Sequence, residues 1–174
     1  SRSGTAGSGV RRMSAVISMR KLFRSPAFQP AYTSATADAG MFRGLDRHRL
    51  AMIEQPLADD GMSLVNHADL QAQLQTPVCL DESAISLQHV EAAIRLGACR
   101  VVNVKMARVG GLEASRRIQA LCAGHGIPCW IGGMLETAIG GAICAELATL
   151  PNFTYPATSS RRRTSTPTTS ASRR

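Results

Sequence analysis

Residues 77–105 read PVCLDESAISLQHVEAAIRLGACRVVNVK, and this stretch decides the fold. Two short runs of β-forming residues, 77–81 and 100–105, bracket a segment in which Leu87, Val90, Ala93 and Ile94 recur at helical spacing. Gly97 stands where a helix C-cap belongs. The alternation continues both ways. Upstream, 51–54 reads as a strand and 63–74 as a helix carrying Leu64, Val65, Ala68, Ala72 and Leu74. Downstream, Leu112, Ile118, Leu121 and Cys122 share a helical face over 111–123, and Gly124-His125-Gly126 ends it. Residues 127–131 read as the next strand, and 137–149 as a helix with Ala142, Ile143 and Leu147 and a cap at Thr137. An earlier pair is expected, a strand ending at Ala31-Tyr32 and a helix near 36–49.

Strands alternating with helices of this length give parallel βαβ units, found in doubly wound sheets and in (β/α)₈ barrels. Polar residues separate the two. Glu54, Asp81, Lys105 and Glu136 each lie at or just beyond the C-terminal end of an apolar run, 27, 24 and 31 residues apart. That spacing is close to the roughly 31 residues per unit of a barrel, whose chemistry gathers at that end of the strands. No G-x-G-x-x-G or G-x-x-x-x-G-K-[ST] sequence marks a doubly wound nucleotide site. Gly110-Gly111 reads as a tight turn.

At 174 residues with 44% hydrophobic and 4% aromatic content, the chain has the composition of one globular domain or part of a larger one. No uninterrupted apolar run reaches the roughly 18 residues of a membrane span. The net charge of +8 belongs to the ends. Residues 1–25 hold six bases and no acid, and 157–174 hold five and no acid. The middle keeps nine bases against all twelve acids, a net of −3. Nucleic acid is therefore expected to bind only non-specifically, through the tails. The five cysteines, Cys79, Cys99, Cys122, Cys129 and Cys144, stand singly in apolar runs and read as reduced, buried thiols of a cytoplasmic protein. His48, His67, His89 and His125 have no partner at ligand spacing and read as structural or solvated. Trp130 reads as core.

Glu54 and Asp81 would emerge near one another at a barrel mouth. Two carboxylates there invite a hard divalent cation, Mg²⁺ above all. Lys105 beside them would be partly desolvated, which brings an amine toward the range of a general base. Carboxylates, a cation and a lysine suit proton abstraction α to a carboxylate. The same residues could instead cap helices and pair at the strand ends, and spacing alone leaves both readings open.

Four ordered motifs bear on that choice: Met52-Ile53-Glu54-Gln55-Pro56-Leu57, Cys79-Leu80-Asp81-Glu82-Ser83, Asn103-Val104-Lys105-Met106-Ala107-Arg108-Val109-Gly110-Gly111 and Gly132-Gly133-Met134-Leu135-Glu136-Thr137. Together they resemble the enolase superfamily in its muconate-lactonizing subgroup, nearest to the o-succinylbenzoate synthase and N-acylamino acid racemase family. The resemblance runs from about residue 32 to 156. It implies an α/β fold, a (β/α) TIM-type barrel, and an enzyme using Mg²⁺ or Mn²⁺ on a small carboxylate substrate. Glu54 and Asp81 would be metal ligands, Lys105 the catalytic lysine, and Gly133, Met134 and Glu136 would line the substrate pocket.

The chain also departs from that family. Its third metal-ligating aspartate would fall at Ala27, its K-x-K lysines have no counterpart, and Lys21 is the one other lysine. The expected organisation is therefore a basic, disordered segment over 1–27, a partial barrel of about the third or fourth to the eighth strand over 28–156, and a disordered Ser/Thr/Arg-rich tail over 157–174. The N-terminal capping domain is not represented, and both ends read as unrelated or out-of-frame sequence. An open half-barrel would expose sheet edges and an apolar inner face, so it is expected to pair with another copy as a homo-oligomer, meet a missing partner, or stay loosely folded. The missing third carboxylate predicts weak metal binding with little turnover. A non-catalytic barrel fragment whose basic tails bind nucleic acid or a protein partner is the alternative.

Overall fold

The structure is a computed structural model, and it describes residues 16–18 and 35–157. Five parallel strands form one sheet in the order β1-β2-β3-β4-β5. They are β1 (Val16–Ser18), β2 (Met52–Glu54), β3 (Val78–Leu80), β4 (Val101–Val104) and β5 (Cys129–Ile131). The helices are α1 (Ala35–Asp46), α2 (Ser63–Ala72), α3 (Leu87–Leu96), α4 (Met106–Val109), α5 (Leu112–Gly124) and α6 (Ala138–Leu147). Strand order follows chain order, as in a barrel and unlike a doubly wound sheet. Beyond β5, Phe153 makes a parallel bridge to Cys129, held by Cys129 N–H to Asn152 O at 2.8 Å and Thr154 N–H to Cys129 O at 3.1 Å. The described residues thus occupy six successive strand positions of a partial (β/α) barrel.

Side-chain alternation along the strands assigns the two faces of the sheet. Ile53 and Val78 pack against α1 and α2 through Phe42, Leu70 and Leu74. Leu80, Val102, Val104, Cys129 and Ile131 pack against α3, α5 and α6 through Val90, Ala93, Ile118, Cys122, Cys144 and Leu147. Residues of the other parity, Met52, Cys79, Val101 and Trp130, form a separate cluster on the inner face. That face is not the open apolar surface expected of a half-barrel. All four residues are buried, and Tyr155 packs against them. Trp130 belongs to this core, and its indole N–H donates to Cys79 Sγ at 3.3 Å.

Local chemistry sets the element ends. Ser86 caps α3 by accepting the His89 N–H, and Gly97 closes it at φ 69°. Thr137 caps α6 through the Gly140 N–H. Gly110 and Gly111, at φ 103° and 102°, form the turn between α4 and α5.

Two elements depart from the sequence reading. Val16–Ser18 forms a strand within the segment expected to lack regular structure, paired in parallel with β2. Three residues are too few to show a period, and the free edge of β2 supplies the hydrogen bonds. The single-turn α4 follows Lys105 at once and stops at left-handed Gly110. The expected strand at Ala31-Tyr32, the rest of 1–27 and the tail from residue 158 lie outside the described residues.

Candidate active site at the C-terminal rim

Parallel neighbouring strands bring their C-terminal ends together, and Glu54, Asp81 and Lys105 stand at the ends of β2, β3 and β4. Each shares the inner-face parity of Met52, Cys79 and Val101. Glu54 and Asp81 are buried, at 8% and 5% exposure. Lys105 Nζ donates to Asp81 Oδ2 at 2.5 Å. The strand-end ion pair left open by the sequence is therefore formed, and it lies on the same rim that the catalytic reading requires.

Three further residues shape this rim, and the sequence reading gave them no role. Arg108, on α4, donates to Asp81 Oδ1 and to the Asp81 backbone carbonyl at 2.7 Å. Asn103 Nδ2 donates to Glu54 Oε1 at 2.8 Å. Gln55 joins the strand ends: its Oε1 accepts the N–H groups of Asp81 at 3.0 Å and Ser83 at 3.3 Å. Its Nε2 donates to Ser83 Oγ at 2.7 Å and Leu57 O at 3.2 Å. Gln55 holds φ 40°, a strained value for a residue with a Cβ, stabilised by those four bonds. Asn103 could have been found from the strand period, since it lies two residues before Lys105. Arg108 could have been found one helical turn after it. Nothing in the sequence signals the backbone angle of Gln55.

Behind the rim, Ser63 Oγ lies 2.5 Å from Ser83 Oγ. Buried His67 contacts the Ser63 carbonyl through Nδ1 at 2.7 Å, and its Nε2 accepts the Leu57 N–H at 3.3 Å. These partners fix the neutral tautomer with the proton on Nδ1, and burial lowers the pKa of the ring. The structural reading of His67 holds.

Gly133, Met134 and Glu136 follow β5 in the adjoining loop. Glu136 Oε1 takes the Met134 N–H at 2.5 Å, and Leu135 is 96% exposed. The Glu136 carboxylate is thus engaged within its own loop rather than at the Asp81–Lys105 pair.

Among the described residues, no three His, Cys, Asp or Glu side chains gather into a ligand set. The donors at the rim still fit a hard divalent cation in kind. Two buried carboxylates stand on neighbouring strand ends, and beside Glu54 the buried Asn103 Oδ1 has no hydrogen-bond partner. Among the same residues, no helix is long and apolar enough to cross a membrane.

Residues 28–170 match the family model described as enolase C-terminal domain-like. An o-succinylbenzoate synthase of Geobacillus stearothermophilus is 52% identical over 126 residues, covering 72% of this chain and 32% of that protein. An N-succinylamino acid racemase of Amycolatopsis is 48% identical over 126 residues, covering 72% of this chain and 33% of that one. A crystal structure of the dipeptide epimerase of Enterococcus faecalis, complexed with Mg and the dipeptide L-Leu-L-Tyr, superposes with a TM-score of 0.65 at 28% identity, over 71% of this chain and 35% of that one. The chain spans about a third of the length of the curated relatives it matches.

Proposed function

The chain belongs to the enolase C-terminal domain-like family, and on that premise we propose that it is part of a Mg²⁺-dependent enzyme that removes a proton α to a carboxylate. The observation that carries this reading is the convergence of Asp81, Lys105 and Glu54 at one rim of three adjacent parallel strands. Glu54 and Asp81 would hold the cation, Mg²⁺ or Mn²⁺. When bound, it supplies the positive charge that offsets negative charge developing on the substrate carboxylate. Lys105, in its neutral form, takes the α-proton onto Nζ. Gly133, Met134 and Glu136 border the substrate. The relatives' names support two outcomes from this shared first step: dehydration, as in o-succinylbenzoate synthase, or exchange at the α-carbon of an N-acyl amino acid.

Lys105 is the one lysine among the described residues, and the proposal places the proton transfer on its Nζ. The test is deuterium incorporation into an N-succinyl amino acid in D₂O with Mg²⁺, followed by proton NMR on the 174-residue chain. The expected result is slow exchange, abolished in Lys105→Met. Exchange that persists in Lys105→Met, or no exchange together with no Mn²⁺ binding, would overturn the reading.

A further inference from the structure

Glu54 and Asn103 meet across β3, although 49 residues separate them in the chain. The carboxamide of Asn103 is 1% exposed, and its Nδ2 is committed to Glu54 Oε1 at 2.8 Å. Its Oδ1 is a buried acceptor without a partner. Leaving such an oxygen unsatisfied destabilises the folded chain, so stability of the fold alone gives no reason for an amide here.

The neighbouring strand explains how the amide fits. Gly132 follows β5, with its N–H bonded to Val104 O at 3.2 Å. A Cβ placed on Gly132 would lie 2.2 Å from Asn103 Oδ1, 2.7 Å from Nδ2 and 2.8 Å from Cγ. All three are closer than real Cβ contacts allow. The carboxamide therefore occupies the volume that any side chain at position 132 would need. Gly132 is not a conformational glycine, since its φ lies outside the positive range seen at Gly97, Gly110 and Gly111.

We propose that Asn103 is a positioning residue for Glu54, and that Gly132 exists to leave room for it. The Nδ2–H fixes which way the Glu54 carboxylate points, and the bare Cα of Gly132 keeps the amide in line with that carboxylate. This inference rests on the reading of Glu54 as a cation ligand and adds to it two residues that support that ligand. Such supporting groups tune a ligand by fixing its orientation, and their loss weakens metal affinity about tenfold or more.

The test is Mn²⁺ binding by the full chain, read from the electron paramagnetic resonance of the free ion, with far-UV circular dichroism and metal-free melting as controls. Glu54→Gln should weaken binding strongly. Asn103→Ala should weaken it about tenfold with folding retained, an effect that a merely structural asparagine would not have on the affinity of folded protein. Gly132→Ala should cost about tenfold when Asn103 is present and less than twofold in the Asn103→Ala background, because the clash is then gone. Should Gly132→Ala not fold, Asn103→Ala decides alone. Wild-type affinity in Asn103→Ala, or an equal cost of Gly132→Ala in both backgrounds, overturns this inference while the cation reading stands. Failure of the wild-type chain to bind Mn²⁺, or an unchanged affinity in Glu54→Gln, overturns both.

Discussion

Lys105 Nζ lies 2.5 Å from Asp81 Oδ2, and the two side chains are 15% and 7% exposed. Arg108, 18% exposed, holds the other Asp81 oxygen. One carboxylate therefore balances two cations in a partly dry site. Removing one member of such a cluster leaves uncompensated charge.

Asp81→Asn strands both cations and is expected to cost about 3 kcal/mol. Lys105→Met leaves Asp81 paired with Arg108 and should cost clearly less. Urea unfolding of the two variants measures the difference. Equal midpoints would show that the cluster does not share its charge in this way.

His67 sets a pH dependence. Burial lowers its pKa from the usual 6.5, so below that value the unfolded chain binds a proton that the folded chain refuses. The stability this group contributes is complete above pH 6.5 and declines as the pH falls from there through the lowered folded value. His67→Gln should flatten the stability profile between pH 7 and 5, read by thermal melting at constant ionic strength. An unchanged slope would place the titration elsewhere.

Asp46 ties the end of α1 to the loop before β3, accepting the N–H groups of Thr76 at 2.8 Å and Gln75 at 3.0 Å. Burial pulls its pKa up, but hydrogen bonds from Thr76 and Gln75 and the charge of Arg100 outweigh it, so the net shift is down from 3.8. Its stabilising effect is present above pH 3.8 and is lost as the pH falls through the lowered value. Asp46→Ala should cost about 1 kcal/mol at pH 7 and weaken the dependence of stability on pH between 4 and 2. Acid titration followed by circular dichroism checks both.

The thiols should be inert in the native chain. All five cysteines are buried and unpaired. Burial raises Cys79 far above its usual range, takes Cys99 to about 12, and raises Cys144, while a hydrogen bond with Cys122 and burial raise Cys129. Thiolate is the reactive form, so a disulfide reagent at pH 8 should titrate none of them until denaturant is added, and then all five. Rapid native labelling would contradict the packing.

Much of the core architecture was legible in the chain. The runs 51–54, 77–81, 100–105 and 127–131 contain β2 to β5, and the helices between them fall where apolar spacing, Ser86, Gly97 and Thr137 place them. The signal was strong because each element buries one face and its ends carry their own stop signals. Val16–Ser18 and Met106–Val109 were not legible, being too short to show a period and formed in a context set by β2 and Lys105. At the rim, position alone brought out Glu54, Asp81 and Lys105, because a residue at the end of an apolar run must stand at a strand end.

The sequence by itself determined the order of β2 to β5 and of α1, α2, α3, α5 and α6, the strand-end positions of Glu54, Asp81 and Lys105, and the family, all of which follow from local period and motif. Tertiary structure alone decided that Lys105 and Arg108 divide Asp81, that Asn103 reaches Glu54, and that Gly132 must be bare to admit it. Those relations depend on the register between parallel strands. Register is fixed only when helices on one face and the inner cluster on the other pack the sheet, and no single stretch of chain encodes that.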